Sequence, residues 1–522
     1  MSTLPTRFKR NALSNYLSTF VSIVMAVGVT PLLVRGLGKE AYGVWGLAMS
    51  AVLYFGLLNV GFGRATVKFV AASHARNDER ELRRVVATSA FSLMLPGLFI
   101  LAISPGLAFL FPVLFHVPHS LLVPAMVLVV LSCVDLAFAI SSDTFGATLM
   151  GLQRYDFLNL TLASTALAQA AAWTVIVLLG GGLIALGVAT VTFSFMGQFA
   201  RYVLVRREVG ADVLRRRNFS RRLVRKLLGM SGWIALSEVS DTVIAELDAL
   251  VVGLVAGVPQ AAVYLVGQKL AGLGAGFTSP VAALFYPHAA ALAAKEDHDA
   301  LRATVYAGTR ISLAIAIPLL LVLAMLAKPA LHIWVGPGYE QAALVVIFLS
   351  ANQVIATVPR AAVYVLRGMG EVRMPALFTS LEAALNLPLS VVLGLTIGFQ
   401  GVALGTLIAG AIVSLGLLLP YACRRAGIST ASMLLAVLRT NLPATVVSLA
   451  VGLLLRHQGI VLAGGVIGVI GVLLAGAAML LAYLLVLFLT GLSGAERGRV
   501  LEAVRLRLRR TEAALDGAGP HR

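Results

Sequence analysis

Four carboxylates lie within one short and otherwise apolar stretch of the chain, Leu236–Gly257: Glu238, Asp241, Glu246 and Asp248. The flanking segments are apolar too, and an isolated carboxylate in hydrocarbon is costly. On an α-helix at 100° per residue the four side chains fall within an arc of roughly 160°, so they can share a face turned away from lipid. This face predicts a polar cavity in which the acids are protonated or hold a cation, and we interpret all four as ion-coupling candidates.

Other polar residues in neighbouring apolar runs could neutralise some of these acids. At 1.5 Å per residue, Asp248 and Lys269 each lie about 12 Å inside the outer ends of successive runs. Arg360 and Glu382 lie about 10 Å from the inner ends of theirs. Because buried charges are usually paired, Lys269 and Glu382 are candidate charge partners of Asp248 and Arg360. Further polar candidates for the cavity are Asp135, Asp143 and Asn386.

The composition places the chain in a membrane. Of its 522 residues, 59% are hydrophobic and 12% are charged, with a mean hydropathy of +0.92, whereas a soluble domain is about 25% charged. The net charge of +18 would suit nucleic acid, but Lys and Arg lie in short loops between apolar runs, as cytoplasmic loops do. The sequence has neither a Walker-type phosphate loop nor a metal-ligand spacing. We therefore expect no metal and no cofactor beyond a coupling H+ or Na+.

Runs of about 20 apolar residues, long enough to span a bilayer, recur along the chain. They predict an all-α integral membrane protein with about 14 transmembrane helices. The candidate spans are residues 12–34, 42–63, 86–110, 121–145, 158–180, 183–205, 231–256, 261–290, 304–327, 341–366, 375–397, 400–422, 440–456 and 460–490.

The distribution of Lys and Arg predicts the orientation of these spans. With the N-terminus inside, 34 of the 41 Lys and Arg residues fall in inner segments and only four fall outside. The positive-inside rule then predicts that both termini are cytoplasmic. The four outer residues are Arg35, Lys39, Lys328 and Arg456.

A basic segment divides the chain into two halves. Phe219, Leu223 and Leu227 recur at i, i+4 and i+8 with Arg on the other face, which predicts a cytoplasmic amphipathic linker on the inner leaflet. The expected order is an N-terminal lobe, this linker, a C-terminal lobe, two extra spans and a basic tail. The boundaries are residues 1–205, 206–230, 231–422, 423–490 and 491–522.

The two halves open alike. A shift of 219 residues aligns Gly38 with Gly257 and Trp45 with Tyr264. Six spans per repeat would insert both copies the same way up, as in transporters whose site lies between parallel repeats. The sequence thus predicts two six-helix lobes in parallel repeat around a central cavity, plus two C-terminal helices.

Three stretches carry a resemblance to a known family. They are "GVTPLLVRGLGKEAYGVWGL" from Gly28, "GLLNVGFGRATVKFVA" from Gly56 and "DALVVGLVAGVPQAAVYLVGQKL" from Asp248. The chain resembles the polysaccharide-flippase (Wzx-like) branch of the multidrug/oligosaccharidyl-lipid/polysaccharide exporter superfamily. The resemblance implies a flippase, not an enzyme, that moves polyprenyl-diphosphate-linked oligosaccharide across the bacterial cytoplasmic (inner) membrane by alternating access, for export of cell-surface polysaccharide.

The resemblance also implies partners and a site for the diphosphate. The expected partners are the lipid-linked oligosaccharide, membrane lipids, a polysaccharide polymerase and glycosyltransferases, with no nucleic acid. Arginine suits phosphate oxygens, and the basic residues near the inner face could receive an anionic diphosphate. The candidates for binding it are Arg64, Lys68, Arg310, Arg360 and Arg367.

Three other functions stay open at this point. A cation-coupled multidrug exporter of the same superfamily would use the acid-rich cavity for organic cations. A non-transporting scaffold of a polysaccharide assembly complex would have little need for charges within its spans. A glycosyltransferase or polymerase would need a sizeable outer loop, and no predicted outer loop exceeds about a dozen residues.

Overall fold

Long α-helices make up nearly all of the described chain. The computed structural model describes residues 6–59, 61–229, 232–283, 297–457 and 465–492, with further positions at 285, 289, 291, 292, 295, 494, 496–498 and 502. No strand occurs within these residues. The helices are α1 (Thr6–Leu53), α2 (Phe62–Ala75), α3 (Glu79–Leu114), α4 (Leu122–Gly151), α5 (Tyr155–Leu178), α6 (Leu183–Val209), α7 (Arg221–Gly229), α8 (Gly232–Ala256), α9 (Val258–Ala283), α10 (His298–Met325), α11 (Ala327–Val335), α12 (Ala343–Gly368), α13 (Arg373–Ile397), α14 (Phe399–Gly410), α15 (Leu419–Arg425), α16 (Thr430–His457) and α17 (Gly465–Val486).

Helix α1 is two helices joined at a glycine. Gly38 has φ 79° and ψ 171°, a conformation that residues with a Cβ rarely adopt, and the chain changes direction there. Gly257, the aligned residue of the second half, has φ 84° and separates α8 from α9. The alignment of the two halves inferred from sequence is therefore matched by the backbone at both positions.

The predicted spans coincide with long helices. Eleven of the described helical segments are long and apolar enough to cross a membrane. Most of the first two predicted spans, residues 12–34 and 42–63, lies in α1, and the segment Val27–Asn59 is one of the eleven. The seventh and eighth correspond to α8, with its four carboxylates, and to α9, and neither is among the eleven. The all-α membrane fold is confirmed, while the number of fourteen spans stays a prediction.

The helix junctions lie alternately at two ends of the bundle. We call the first the Gly38 end and the second the Arg64 end. The Gly38 end holds the junctions at residues 35–41, 115–121, 179–182, 257, 335–342 and 398. The Arg64 end holds the junctions at residues 76–78, 152–154, 210–220, 369–372 and 426–429. The break at residues 59–61 lies deeper in the bundle, where Asn59 contacts Asp143 of α4.

The linker between the halves docks on the first half. Leu223 and Leu227 of α7 are buried, and Phe219, just before the helix, packs edge-on against Phe91 at 6.3 Å between ring centroids. The apolar face predicted for this segment is thus present, but α7 begins only at Arg221. The predicted tail, residues 491–522, lies mostly outside the described residues.

Candidate functional site

A cavity of about 700 Å³ lies between the two halves. Helices α1, α5 and α6 line it from the first half, and α8, α9, α12 and α14 line it from the second. Trp45 and Trp173 meet edge to face, with ring centroids 4.9 Å apart, and form part of an apolar wall. Of the four candidate acids, Glu246 and Asp248 line the cavity. An apolar pocket with a few converging polar groups is the usual form of a binding site.

Asp248 is buried and accepts hydrogen bonds from side chains on three other helices. Tyr264 of α9 and Thr406 of α14 donate to its Oδ2 at 2.7 and 2.5 Å. Two residues of α13 reach its Oδ1: Asn386 donates at 3.3 Å and Ser390 at 3.4 Å. Because an unpartnered buried carboxylate is costly, these four neutral donors explain how the anion is tolerated.

Glycines bring these helices close enough to meet at Asp248. The turn at Gly257 lets α9 run back along α8, which places Tyr264 beside the carboxylate. Between α13 and α14, a Cβ added to Gly405 would lie 2.7 Å from the backbone nitrogen of Ser390. A larger residue at position 405 would therefore separate Ser390 from Thr406.

The same place concentrates oxygen atoms. The Ser390 hydroxyl also lies 2.7 Å from Asn386 Oδ1 and 3.2 Å from the carbonyl of Val402, and the Thr406 hydroxyl lies 3.2 and 3.3 Å from the same two atoms. Each hydroxyl has one proton, which it shares among Asp248 and these two acceptors. The site thus brings together five oxygen-bearing groups: the carboxylate of Asp248, the amide of Asn386, the hydroxyls of Ser390 and Thr406, and the carbonyl of Val402. Hard cations take oxygen ligands of these kinds. No cluster of three or more His, Cys, Asp or Glu is found in the described chain, so the set carries a single negative charge.

Lys269 does not pair with Asp248, although the sequence predicted it as a candidate charge partner. Its Nζ lies 5.7 Å from the ring centroid of Tyr42, and it is absent from the interactions acting on Asp248. The expected match in depth fails because α9 begins at Val258, three residues earlier than predicted. Tyr264 faces Asp248, and Lys269 lies five residues further on, about 140° around the helix.

The other acids of α8 connect the two halves toward the Arg64 end. Ser50 of α1 donates to Glu246 Oε2 at 2.9 Å. Arg64 of α2 forms an ion pair with Glu238. Lys68, one turn further along α2, is exposed. Arg64 and Glu238 were predicted to bind diphosphate and a coupling ion respectively, and the structure pairs them with each other.

Asp241 is the centre of a mixed charge cluster at the same end. The charges of Arg367, Arg360, Glu238 and Arg64 all act on it. Asp241 lies three residues before Ile244, which lines the cavity, so the cluster is about one helical turn from the cavity wall. Three of the five predicted diphosphate-binding residues therefore lie within electrostatic range of this one acid.

Glu382 belongs to the same neighbourhood but is not an exclusive partner of Arg360. Its carboxylate and the amide of Asn352 both face Gly410. The acidic charge that acts on Arg360 is that of Asp241, and Asp241 also acts on Glu382. The pair inferred from depth is replaced by a shared cluster, and α14 packs against both of the helices that carry Arg360 and Glu382.

Arg310 lies away from this cluster, which corrects its predicted role. Its guanidinium donates to the carbonyl of Gly491 at 2.8 Å and to Glu496 at 3.2 and 3.4 Å. Counting residues gave its depth in the membrane, but not the direction it faces on α10. It faces the C-terminal segment and is absent from the cavity lining.

Asp135 and Asp143 of α4 also lie outside the cavity lining, contrary to expectation. Asn59 donates to Asp143 Oδ2 at 2.9 Å, and a Cβ on Gly63 would lie 2.9 Å from the same atom. Asp135 bonds to Ser194 of α6. Both acids therefore hold helices of the first half together.

Sequence reasoning missed the uncharged members of the site. Tyr264, Ser390 and Thr406 were not among the candidates, although each donates to Asp248. Ser390 follows Asn386 by four residues, so it lies on the same helix face. That spacing is the feature of the sequence that could have identified Ser390 as a member of the site.

The chain is similar to proteins of polysaccharide biosynthesis. A family model described as "Polysaccharide biosynthesis protein" matches residues 8–292, more than half of the chain. The membrane protein EpsK of Bacillus subtilis (strain 168) is 22% identical over 410 residues, covering 78% of this chain and 80% of EpsK. A protein of Shigella flexneri named as an O-antigen transporter is 21% identical over 336 residues, covering 63% and 77%.

Solved structures of similar fold are transporters of one superfamily. An inward-facing multidrug resistance MATE transporter of the MOP superfamily has a TM-score of 0.69 at 16% identity, covering 78% of this chain and 94% of that one. The lipid II flippase MurJ in an inward closed conformation has a TM-score of 0.67 at 14% identity, covering 92% and 98%. An outward-facing MATE transporter has a TM-score of 0.59 at 15% identity, covering 80% of this chain and 96% of that one.

These likenesses agree with the resemblance seen in the sequence. The helical fold is similar to that of the MOP-superfamily transporters, and the region matched by the family model contains α8 and Asp248. The chain is a multi-pass membrane protein and belongs to the polysaccharide biosynthesis protein family.

Proposed function

We propose that the protein is a flippase that moves a polyprenyl-diphosphate-linked oligosaccharide across the cytoplasmic membrane by alternating access. The observation that carries this proposal is the cavity between the halves, with the cluster of Arg64, Arg360 and Arg367 about one turn from its wall. Guanidinium groups bind phosphate oxygens by paired hydrogen bonds. The cavity would take the diphosphate and the first sugars, and the polyprenyl chain would stay in lipid.

A cation at Asp248 is the proposed driving ligand. Na+ would suit the oxygen set formed by Asp248, Asn386, Ser390, Thr406 and the carbonyl of Val402. A proton on Asp248 would serve the same purpose. Either ligand can favour one state only through a difference in its affinity for the two states. The higher similarity to the inward-facing than to the outward-facing MATE transporter supports an inward-facing assignment for this structure.

Transport by purified protein tests the proposal directly. A fluorescent polyprenyl-diphosphate-linked monosaccharide is followed in proteoliposomes by its accessibility to an impermeant quencher. We expect Arg360→Gln/Arg367→Gln to slow transport at least about tenfold, since each lost charge-assisted bond costs about 1.5–3 kcal/mol. Arg439→Gln is the matched control, because Arg439 is exposed on α16, away from the cavity. An unchanged rate in the double variant would refute diphosphate recognition by this cluster.

A multidrug exporter is the second candidate, and the cavity wall is the observation that favours it. Trp45, Trp173 and the acid Glu246 line one cavity, and aromatic faces with a carboxylate suit organic cations. Efflux of a fluorescent organic cation should then survive Arg360→Gln/Arg367→Gln and fail in Glu246→Gln. The flippase proposal expects no such efflux.

A further inference from the structure

Two basic side chains join the two halves at the Gly38 end by binding backbone carbonyls of the opposite half. Arg35 donates to the carbonyls of Ile333, Trp334 and Val335, at 3.2 to 3.4 Å. Lys39 donates to the carbonyl of Gly338 at 3.0 Å. We call these contacts the clasp. It joins the hairpin of α1 to the end of α11 and to the turn that follows.

The clasp cations have neutral partners. In the described residues neither Arg35 nor Lys39 has a carboxylate within ion-pair distance. The nearby acid Glu340 is engaged elsewhere: it contacts His332 at 2.6 Å and accepts the backbone N–H of Gly338 at 2.7 Å. Within the described residues, therefore, no ion pair neutralises either cation of the clasp.

A neutral donor would hold the same carbonyls. Asparagine or glutamine can donate to a carbonyl, so joining the halves does not by itself require cations. Cations are also rare on the predicted outer side of the membrane, where the charge distribution places only four of the 41 Lys and Arg residues. Two of the four, Arg35 and Lys39, meet at the mouth of the cavity.

Space for a ligand adjoins the clasp. A surface pocket of about 790 Å³ is lined by Arg35, Lys39 and His332, and by the turn from Gly336 to Tyr339. Both glycines of this turn have positive φ. Lys39 Nζ lies 2.9 Å from where a Cβ on Gly338 would be and 5.1 Å from the ring centroid of Tyr339, so the ammonium packs directly on the turn.

We propose that Arg35 and Lys39 form a second diphosphate site at the outer mouth, which receives the substrate as the cavity opens on that side. The inference rests on the proposed function for its ligand class. Phosphate oxygens make stronger, charge-assisted bonds than neutral carbonyls. An arriving diphosphate therefore replaces the carbonyls, releases the α1 hairpin from α11 and occupies the cations that had closed the exit.

The test uses competition at Lys39 from the outer face. The full-length protein in right-side-out vesicles is acylated with a membrane-impermeant amine reagent, with and without external inorganic pyrophosphate, at matched ionic strength. Mass spectrometry then reports modification of Lys39 and of Lys328, a second exposed lysine expected on the same side. Protection follows 1+[L]/Kd, about threefold at twice Kd. We expect this protection at Lys39, none at Lys328, and its loss in Arg35→Gln, which keeps a donor for the clasp.

Each outcome decides the question. Equal acylation of Lys39 with and without pyrophosphate, or protection that persists in Arg35→Gln, overturns the site and leaves the clasp a closure only. Transport by Arg360→Gln/Arg367→Gln addresses the proposed function separately, because the acylation assay needs no transport. Protection in a protein that moves no lipid-linked sugar would keep the anion site and reject the flippase.

Discussion

Asp248 is an anion that the protein holds by dipoles alone. Its four neutral donors stabilise the carboxylate, and the nearest lysine of α9 faces Tyr42. In the described residues the charge of Asp248 therefore has no fixed counter-charge. A mobile cation can supply it, which is the physical basis for assigning coupling to this residue.

Asp248→Asn should abolish the dependence of transport on the ion gradient. We expect gradient-driven transport to fall at least about tenfold, because the amide loses charge-assisted interactions of about 1.5–3 kcal/mol. Lys269→Met should stay gradient-dependent, since Lys269 does not contact Asp248. The transport rate of each variant is measured with the proton and sodium gradients intact and again with them collapsed. Restored, gradient-dependent transport in the double variant would show a neutral pair instead.

Glu371, in the junction at residues 369–372, should make the stability of the protein depend on pH. Hydrogen bonds from Arg425 and then from Tyr421 hold the pKa of Glu371 below its ordinary value of 4.5. A lowered folded-state pKa stabilises the protein above pH 4.5, and this is lost as the pH falls through the folded-state pKa. Glu371→Gln should lower Tm slightly at neutral pH, because exposed pairs are well screened. The Tm difference should shrink below pH 4.5, and one of equal size at both pH values would contradict the assignment.

The sequence revealed the charged residues of the site better than their partners. Acids such as Asp241 stand out in an apolar run because each is expensive there. Hydroxyls such as Thr406 carry no such cost, so nothing in the run distinguished them. Depth could be counted along a helix, but the direction that Arg310 faces depends on which neighbour packs there, and a single sequence does not contain that information.

At the scale of elements, packing of α14 on α13 sets the site. Three backbone atoms of Leu389 and Ser390 would lie within 2.9 Å of a Cβ on Gly405. The helix boundaries, in contrast, follow from the apolar runs, and α13 ends at Ile397 as predicted. What periodicity does not give is how closely two helices approach.

Gly405→Ala should therefore destabilise the protein and weaken coupling together. A methyl group against backbone cannot be relieved by a side-chain rotation, and overpacking of this kind costs about 1–3 kcal/mol. Gly416→Ala is the matched control, since a Cβ there meets nothing within 4 Å. Thermal unfolding and gradient dependence are measured on both variants. Equal stability of the two would show that α13 and α14 separate without cost.

At the scale of the whole molecule, two halves enclose one cavity and contact each other differently at its ends. At the Gly38 end the halves are joined by Arg35 and Lys39 on neutral carbonyls. Toward the Arg64 end the halves meet through the ion pair of Arg64 with Glu238. The repeat at Gly38 and Gly257 predicted this two-part architecture, whereas the identity of the contacts at each end required the structure.

The orientation of the molecule is testable with one engineered cysteine. Both native cysteines, Cys133 and Cys423, are buried free thiols, so they should contribute little background. Arg217 is exposed near the linker, and Arg217→Cys should react with an impermeant maleimide only after the membrane is permeabilised. Reaction in intact cells would reverse the inferred orientation. Lys328→Cys should label from outside in the same cells.

The bond between Arg310 and Glu496 has a consequence for the order in which the protein is made. The two residues are 186 positions apart in the chain. At about 5–20 residues per second, the ribosome delivers the carboxylate roughly 10–40 s after the guanidinium. During that interval α10 has to be kept beside water, lipid phosphate or the insertion machinery, because its arginine still lacks the C-terminal partner. Synthesis of the segment from Gly491 to Glu496 is then the earliest point at which Arg310 can gain these partners.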